Sequence, residues 1–209
     1  MKVYISGKIS GLPMSEVEQK FSSAECLLED IGIQPVNPLK NGLSLQDPWK
    51  RHIARDIEML LECNGILMLT TWKDSKGASI EYSVAKIHGM TVLFESTVAK
   101  EHEIVEKIKN AITEATGMTF EYYSTEKPDA DVNGKCKYHY PREQDKCFAR
   151  LMFAYHCDKN KIDFFRYFKK MHRTIMYHYR DKYENEMRYN PKFRETARQV
   201  EIILNQPCE

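Results

Sequence analysis

Long apolar runs are missing from this 209-residue chain: none approaches the ~18 residues of a membrane-spanning helix, so no membrane partner is expected. A cysteine framework is missing too. The six cysteines form no CxxC pair and no regular spacing, and Met1-Lys2-Val3-Tyr4-Ile5 enters a strand at once with no signal-peptide core. Free thiols in a cytoplasmic protein are the expectation. Charge of one sign is not in excess, at 31 basic against 30 acidic residues, so no global field draws the chain to nucleic acid. Internal repeats and low-complexity tracts are also absent.

What is present suffices for one good core, or one core and a satellite: 42% of residues are hydrophobic. Charge is uneven along the chain, −3 over residues 1–118 and +4 over residues 119–209, which marks a change of domain rather than a partner. In the first part, short apolar strands alternate with amphipathic helices. Strands are expected at 2–6, 33–37, 65–70 and 91–94. Helices are expected at about 15–31, 46–62, 76–88 and 99–115, with Ser15 and Glu18 as a capping box and Ile53, Ile57, Leu60 and Leu61 facing inward. This alternation predicts an α/β fold, a flavodoxin-like doubly wound parallel sheet of four or five strands, the fifth near Thr119–Tyr123.

Residues 119–140 read as a linker, with Pro128, Asp129, Asp131, Asn133 and Gly134. An all-α C-terminal module follows, with helices at about 141–157, 160–187 and 191–205. Cys136, His139, Cys147, His156 and Cys157 fit no established zinc spacing, so no metal is expected. The Lys, Arg and Tyr residues of 161–189 alternate with Asp163, Asp181, Glu184 and Glu186, as a solvated helix face does, which disfavours nucleic acid.

Chemistry concentrates in Asp74-Ser75-Lys76-Gly77-Ala78-Ser79-Ile80-Glu81, between the third strand and its helix. A Ser/Gly turn there would present helical N–H groups and positive dipole to a ligand, with Glu81 about two turns inside. An ordinary N-capped surface helix explains the same stretch. The first loop, Ser6-Gly7-Lys8-Ile9-Ser10-Gly11, lacks the upstream glycine and following Ser/Thr of a nucleoside-triphosphate P-loop, yet its small residues sit where a parallel sheet binds ligands. Asp56 borders the apolar stripe of the second helix, where a carboxylate serves as an ion-pair partner or a ligand group.

Taken together, Tyr4-x-x-Gly7-x-Ile9-x-Gly11, Asp56 and Ser75-x-Gly77-x-x-x-Glu81 resemble the nucleoside 2-deoxyribosyltransferase-like superfamily, closest to its 2'-deoxynucleoside 5'-monophosphate N-glycosidase branch, over roughly residues 1–115. The resemblance implies that Glu81 is the nucleophile, that Tyr4 positions it, and that Asp56 binds a sugar hydroxyl or assists the leaving base. Ser75 and Gly77 would receive the phosphate or sugar rim, and Gly7, Lys8, Ile9 and Gly11 would shape the substrate pocket. It also implies a nucleotide or nucleoside substrate, no cofactor, and a homodimer or larger assembly. Ser75 stands where the true transferases carry aspartate, which favours the nucleotide branch; Lys8 and Ser10 replace that branch's serine and arginine. The alternative is a non-catalytic nucleotide- or sugar-phosphate-binding module with a helical protein-interaction domain, or a scaffold whose helical part drives oligomerisation.

Overall fold

A computed structural model describes residues 1–44, 46–124, 141–168 and 178–206. The chain divides into two compact units, residues 1–102 and 103–209.

The first unit is built on four parallel strands: β1 (Lys2–Ser6), β2 (Gln34–Val36), β3 (Gly65–Met68) and β4 (Thr91–Phe94), in the order β2-β1-β3-β4. Register pairs Tyr4 with Val36 on one side and Ile66 on the other, and Ser6 with Met68. The sheet is thus the expected doubly wound α/β arrangement. The chain steps one way from β1 to β2 and the other way from β2 to β3, so a switch point lies between β1 and β3. Connecting helices are α1 (Met14–Asp30), α2 (Trp49–Leu61) and α3 (Lys76–Ile87); α4 (Glu95–Thr116) follows β4 and contains the boundary between the units.

Strand alternation distributes the core. Tyr4, Ile66 and Met68 form one cluster with Leu60 and Cys63 at the end of α2 and with Ala78 and Ala85 of α3. Val17, Phe21, Ala24 and Leu28 recur along the buried stripe of α1, which packs on β1 and β2. Helix α1 ends as predicted: Gly32 takes φ 74°, its N–H donates to the Glu29 carbonyl, and the Ile33 N–H donates to the Leu28 carbonyl. This Schellman arrangement needs a left-handed residue, which glycine adopts without a Cβ penalty.

Several boundaries differ from the sequence reading. Helix α1 starts at Met14 behind Pro13, with no side-chain cap, so the Ser15–Glu18 box is not used. Helix α2 starts only after Pro48, and Leu61, expected to face inward, is 46% exposed at its last turn. Strand β3 stops at Met68. The next-but-one residue, Thr70, gives its backbone N–H and its hydroxyl to Glu95 at 2.7 Å each, instead of pairing with a strand.

The second unit is helical in its described residues: the end of α4, α5 (Phe120–Ser124), α6 (Pro141–Lys159), α7 (Tyr179–Tyr189) and α8 (Pro191–Leu204). Thr119–Tyr123, read as a possible fifth strand, therefore falls largely in a helix; the Tyr123 N–H turns back to the Thr119 carbonyl. Most of the predicted linker, residues 125–140, lies outside the described residues. So do Cys136 and His139 of the weighed zinc cluster. The helix expected over 160–187 is not continuous. Lys161 takes φ 59° and closes α6 in a second Schellman arrangement, with Ile162 N–H on the Cys157 carbonyl, before a 3-10 turn at Phe164–Arg166. Residues 169–177 lie outside the described residues.

Aromatic side chains form this unit's interior. Tyr155 and Tyr183 stack at 3.9 Å between centroids, and Phe193 meets Phe148 and Tyr183 at 4.9 and 5.2 Å. Edge-to-face pairs of this kind add to their area of burial. Among the described residues, no helix is long and apolar enough to cross a membrane.

Candidate active site

Residues two apart on a strand share a face, so β1 turns Tyr4 and Ser6 toward the same helices while Val3 and Ile5 turn away. Helix α3 answers with Ala78, Glu81 and Ala85, its three buried positions, spaced three and four apart along one stripe. Two methyl-sized neighbours let the helix lie close to the sheet, and the longer Glu81 side chain bridges the remaining gap. The Tyr4 hydroxyl donates to Glu81 Oε1 at 2.9 Å, and Ser6 Oγ donates to Oε2 at 2.5 Å. Tyr4 and Ser6 are fully buried and Glu81 is 5% exposed.

Burial penalises the charged carboxylate and pushes Glu81 from an ordinary 4.5 up to about 7. The hydrogen bonds from Ser6 and Tyr4 pull the other way, and the negative charge of Asp56 adds to the rise. Tyr4 is held well above the usual phenol range by its own burial, then by the charges of Glu81 and Asp56. Asp56 is buried on α2 and also raised, chiefly by desolvation. Its direct partner is Asn41, whose amide donates to Oδ1 at 3.1 Å; that bond and the nearby His52 favour the charged form. Two carboxyls and a phenol therefore share a desolvated region beside the switch point, where the carboxyl ends of β1 and β3 meet. Such a set can hold a nucleophile and a separate proton donor with different affinities for protons.

Of the residues singled out from the sequence, Tyr4 and Glu81 are joined directly, and Asp56 acts on both through its charge. Ser75 caps α3, its Oγ accepting the Ala78 N–H at 3.3 Å. Gly77 sits in the first turn; a Cβ there would meet only ordinary contacts, Ile53 Cδ1 and Ser75 Oγ at 3.8 Å, so no neighbouring side chain demands glycine. Gly7 is different: a Cβ would lie 2.8 Å from Leu69 Cδ1, so the turn leaving β1 is pressed against the residue that follows β3. Lys8 and Ile9 are half-buried in that turn, and Gly11 has φ +81° with open space around it. Lys8 makes no ion pair among the described residues.

Sequence reasoning missed two groups. The sequence reading uses Ser6 as the close of a strand and the start of the ligand-side loop, not as a partner of Glu81, although its spacing from Tyr4 puts both hydroxyls on one face. Asn41 reaches Asp56 from a loop fifteen residues away, and no periodicity announces such a contact. Among the described residues no group of three or more His, Cys, Asp and Glu could hold a metal ion; Cys136 and His139 lie outside those residues.

The fold and site define a doubly wound α/β domain with a buried, hydroxyl-clamped carboxylate at its switch point. Residues 1–94 match the family model described as a domain of unknown function, DUF4406. The matched stretch ends on the last residue of β4 and includes Tyr4, Ser6, Asn41, Asp56, Ser75 and Glu81. No curated protein matches the chain.

Proposed function

We propose that the α/β unit is an N-glycosidase or deoxyribosyltransferase-like enzyme that cleaves the N-glycosidic bond of a nucleotide or nucleoside. The observation that carries this reading is Glu81: a carboxylate buried in the core, each oxygen held by a hydroxyl, beside a second carboxyl at the edge where parallel sheets bind ligands. Structural carboxylates are seldom so buried without a cationic partner, and none among the described residues pairs with Glu81.

In the proposed reaction, a Glu81 oxygen bonds to the anomeric carbon as the carbon–nitrogen bond breaks, and the electron pair leaves with the base. Asp56, also raised, gives that base its proton. Water or a second base then releases the sugar from Glu81, as in retaining glycosidases. A group poised near 7 is ionised in a useful fraction at neutral pH. The capped first turn of α3 at Ser75 and Gly77, with Lys8 across the same sheet edge, supports a phosphorylated substrate. The assembly in this reading is a homodimer or larger, which sedimentation of the purified chain measures.

The test is free-base release from a panel of nucleosides and nucleoside monophosphates, followed by chromatography. Release that vanishes in Glu81→Ala is expected; release that persists undiminished removes the mechanism. Ligand-dependent thermal stabilisation with no turnover on any member of the panel would instead favour the binding-module reading.

A further inference from the structure

Each oxygen of Glu81 has its own hydroxyl donor from β1, but only Tyr4 has a role under the resemblance. Ser6 makes the shorter bond, 2.5 Å to Oε2, at the short end of the range for a hydroxyl on a charged oxygen. Ser6 is fully buried, so no water competes for Oε2 from its side. Its backbone is fixed as well: β1 pairs Ser6 with Met68, and its carbonyl accepts the Leu69 N–H at 2.8 Å. Main chain, rather than a mobile loop, therefore places this oxygen.

We propose that Ser6 is a positioning residue for Glu81, holding Oε2 so that the carboxylate is kept ionised and aimed, and stabilising it again when the glycosyl-enzyme breaks down. The proposal rests on the N-glycosidase reading above. In the first half-reaction the carboxylate becomes an ester and loses its charge, while Asp56 passes a proton to the departing base. In the second, a water oxygen bonds to the anomeric carbon and the carbon–oxygen bond to Glu81 breaks. Its electron pair returns to Glu81, and the water's proton goes to Asp56. A hydroxyl aimed at Oε2 interacts strongly with the charged carboxylate and weakly with the ester. It therefore favours the ionised resting state and the second half-reaction, making Glu81 a better leaving group.

Ser6→Ala removes one oxygen from a packed site and adds no atom, so the variant is expected to fold. Carbon-13 carboxyl NMR of Glu81 in the free protein gives the first readout. Its half-protonation pH should rise in Ser6→Ala by about one to two pH units, as expected for losing a hydrogen bond to a charged group. Ile5→Val, on the other face of the same strand, should lower stability without moving that midpoint. Turnover gives the second readout: with breakdown of the glycosyl-enzyme slowed, Ser6→Ala should lower kcat and KM together, and intact-mass measurement should find the glycosyl adduct accumulating. An unchanged Glu81 midpoint in Ser6→Ala overturns the role of Ser6 whatever the activity. No base release by the unmodified protein overturns the enzymatic reading instead, and leaves the titration result standing.

Discussion

Replacing Glu81 with glutamine changes how stability depends on pH, and the structure gives both sign and size. In the folded chain the carboxyl holds its proton up to about pH 7, against an ordinary 4.5 when exposed. Between those values the folded state binds more protons than the unfolded one, so its stability falls as pH rises. The contribution is complete below pH 4.5, is lost progressively up to about 7, and is constant above. The interval corresponds to about 3 kcal/mol. Glutamine keeps nearly the same shape and does not titrate. The wild-type protein should therefore lose about 3 kcal/mol relative to Glu81→Gln between pH 4 and pH 8. For a chain of this size that is about 6–12 °C in the difference of the two Tm values. Differential scanning calorimetry of both proteins across this range measures it. Tyr4, held well above the usual phenol range, does not titrate in this interval in the wild-type protein, and the coupling of Asp56 to Glu81 is part of the difference the comparison reads. Parallel stability curves for the two proteins would refute the reasoning, and with it the claim that burial dominates the environment of this carboxylate.

Three further outcomes are expected. His156, 2% exposed in the helical unit with no partner for its Nε2 among the described residues, is pushed down to about 4 by desolvation, so its contribution is lost as pH falls from 6.5 toward 4. His156→Leu should flatten that acid limb by up to about 3 kcal/mol in urea titrations, and an unchanged limb would place the acid sensitivity elsewhere. Ser75→Ala removes the cap of α3 and should cost about 1 kcal/mol, read from the denaturant midpoint; under the proposed function it should also raise KM. Gly7→Ala forces a methyl against Leu69 and should cost about 1–3 kcal/mol, and its cost should be smaller in a Leu69→Ala background, which removes Cδ1 and Cγ. Simple additivity of those two substitutions would show that the contact is not the source of the loss.

The architecture was legible because its signals are local and repeated: apolar strands, helix-spaced stripes in α1 and α2, and glycines where α1 and α3 end. The break after α6 was legible to within two residues, as the gap between helices expected to 157 and from 160, although Lys161 rather than a glycine takes the left-handed position; the 3-10 turn at Phe164–Arg166 inside the expected 160–187 helix was not. The capping box failed because Pro13 admits the helix one residue before Ser15, leaving that hydroxyl inside the first turn. At the site, the pairing of Tyr4 with Glu81 came from resemblance, and strand alternation then puts Ser6 on the same face as Tyr4, within reach of the same carboxylate. Asn41 depends on how a loop folds back on α2, which no local pattern encodes.

The alanines on either side of Glu81 make chain length at position 81 a matter of single bonds. Helix α3 rests on methyl groups, and glutamate has just the span to meet both hydroxyls. Aspartate in its place would withdraw the oxygens by about 1.5 Å, past the limit of a hydrogen bond from Tyr4. An aspartate there would be left buried and short of both donors, and burial with nothing to favour its charge would hold it protonated.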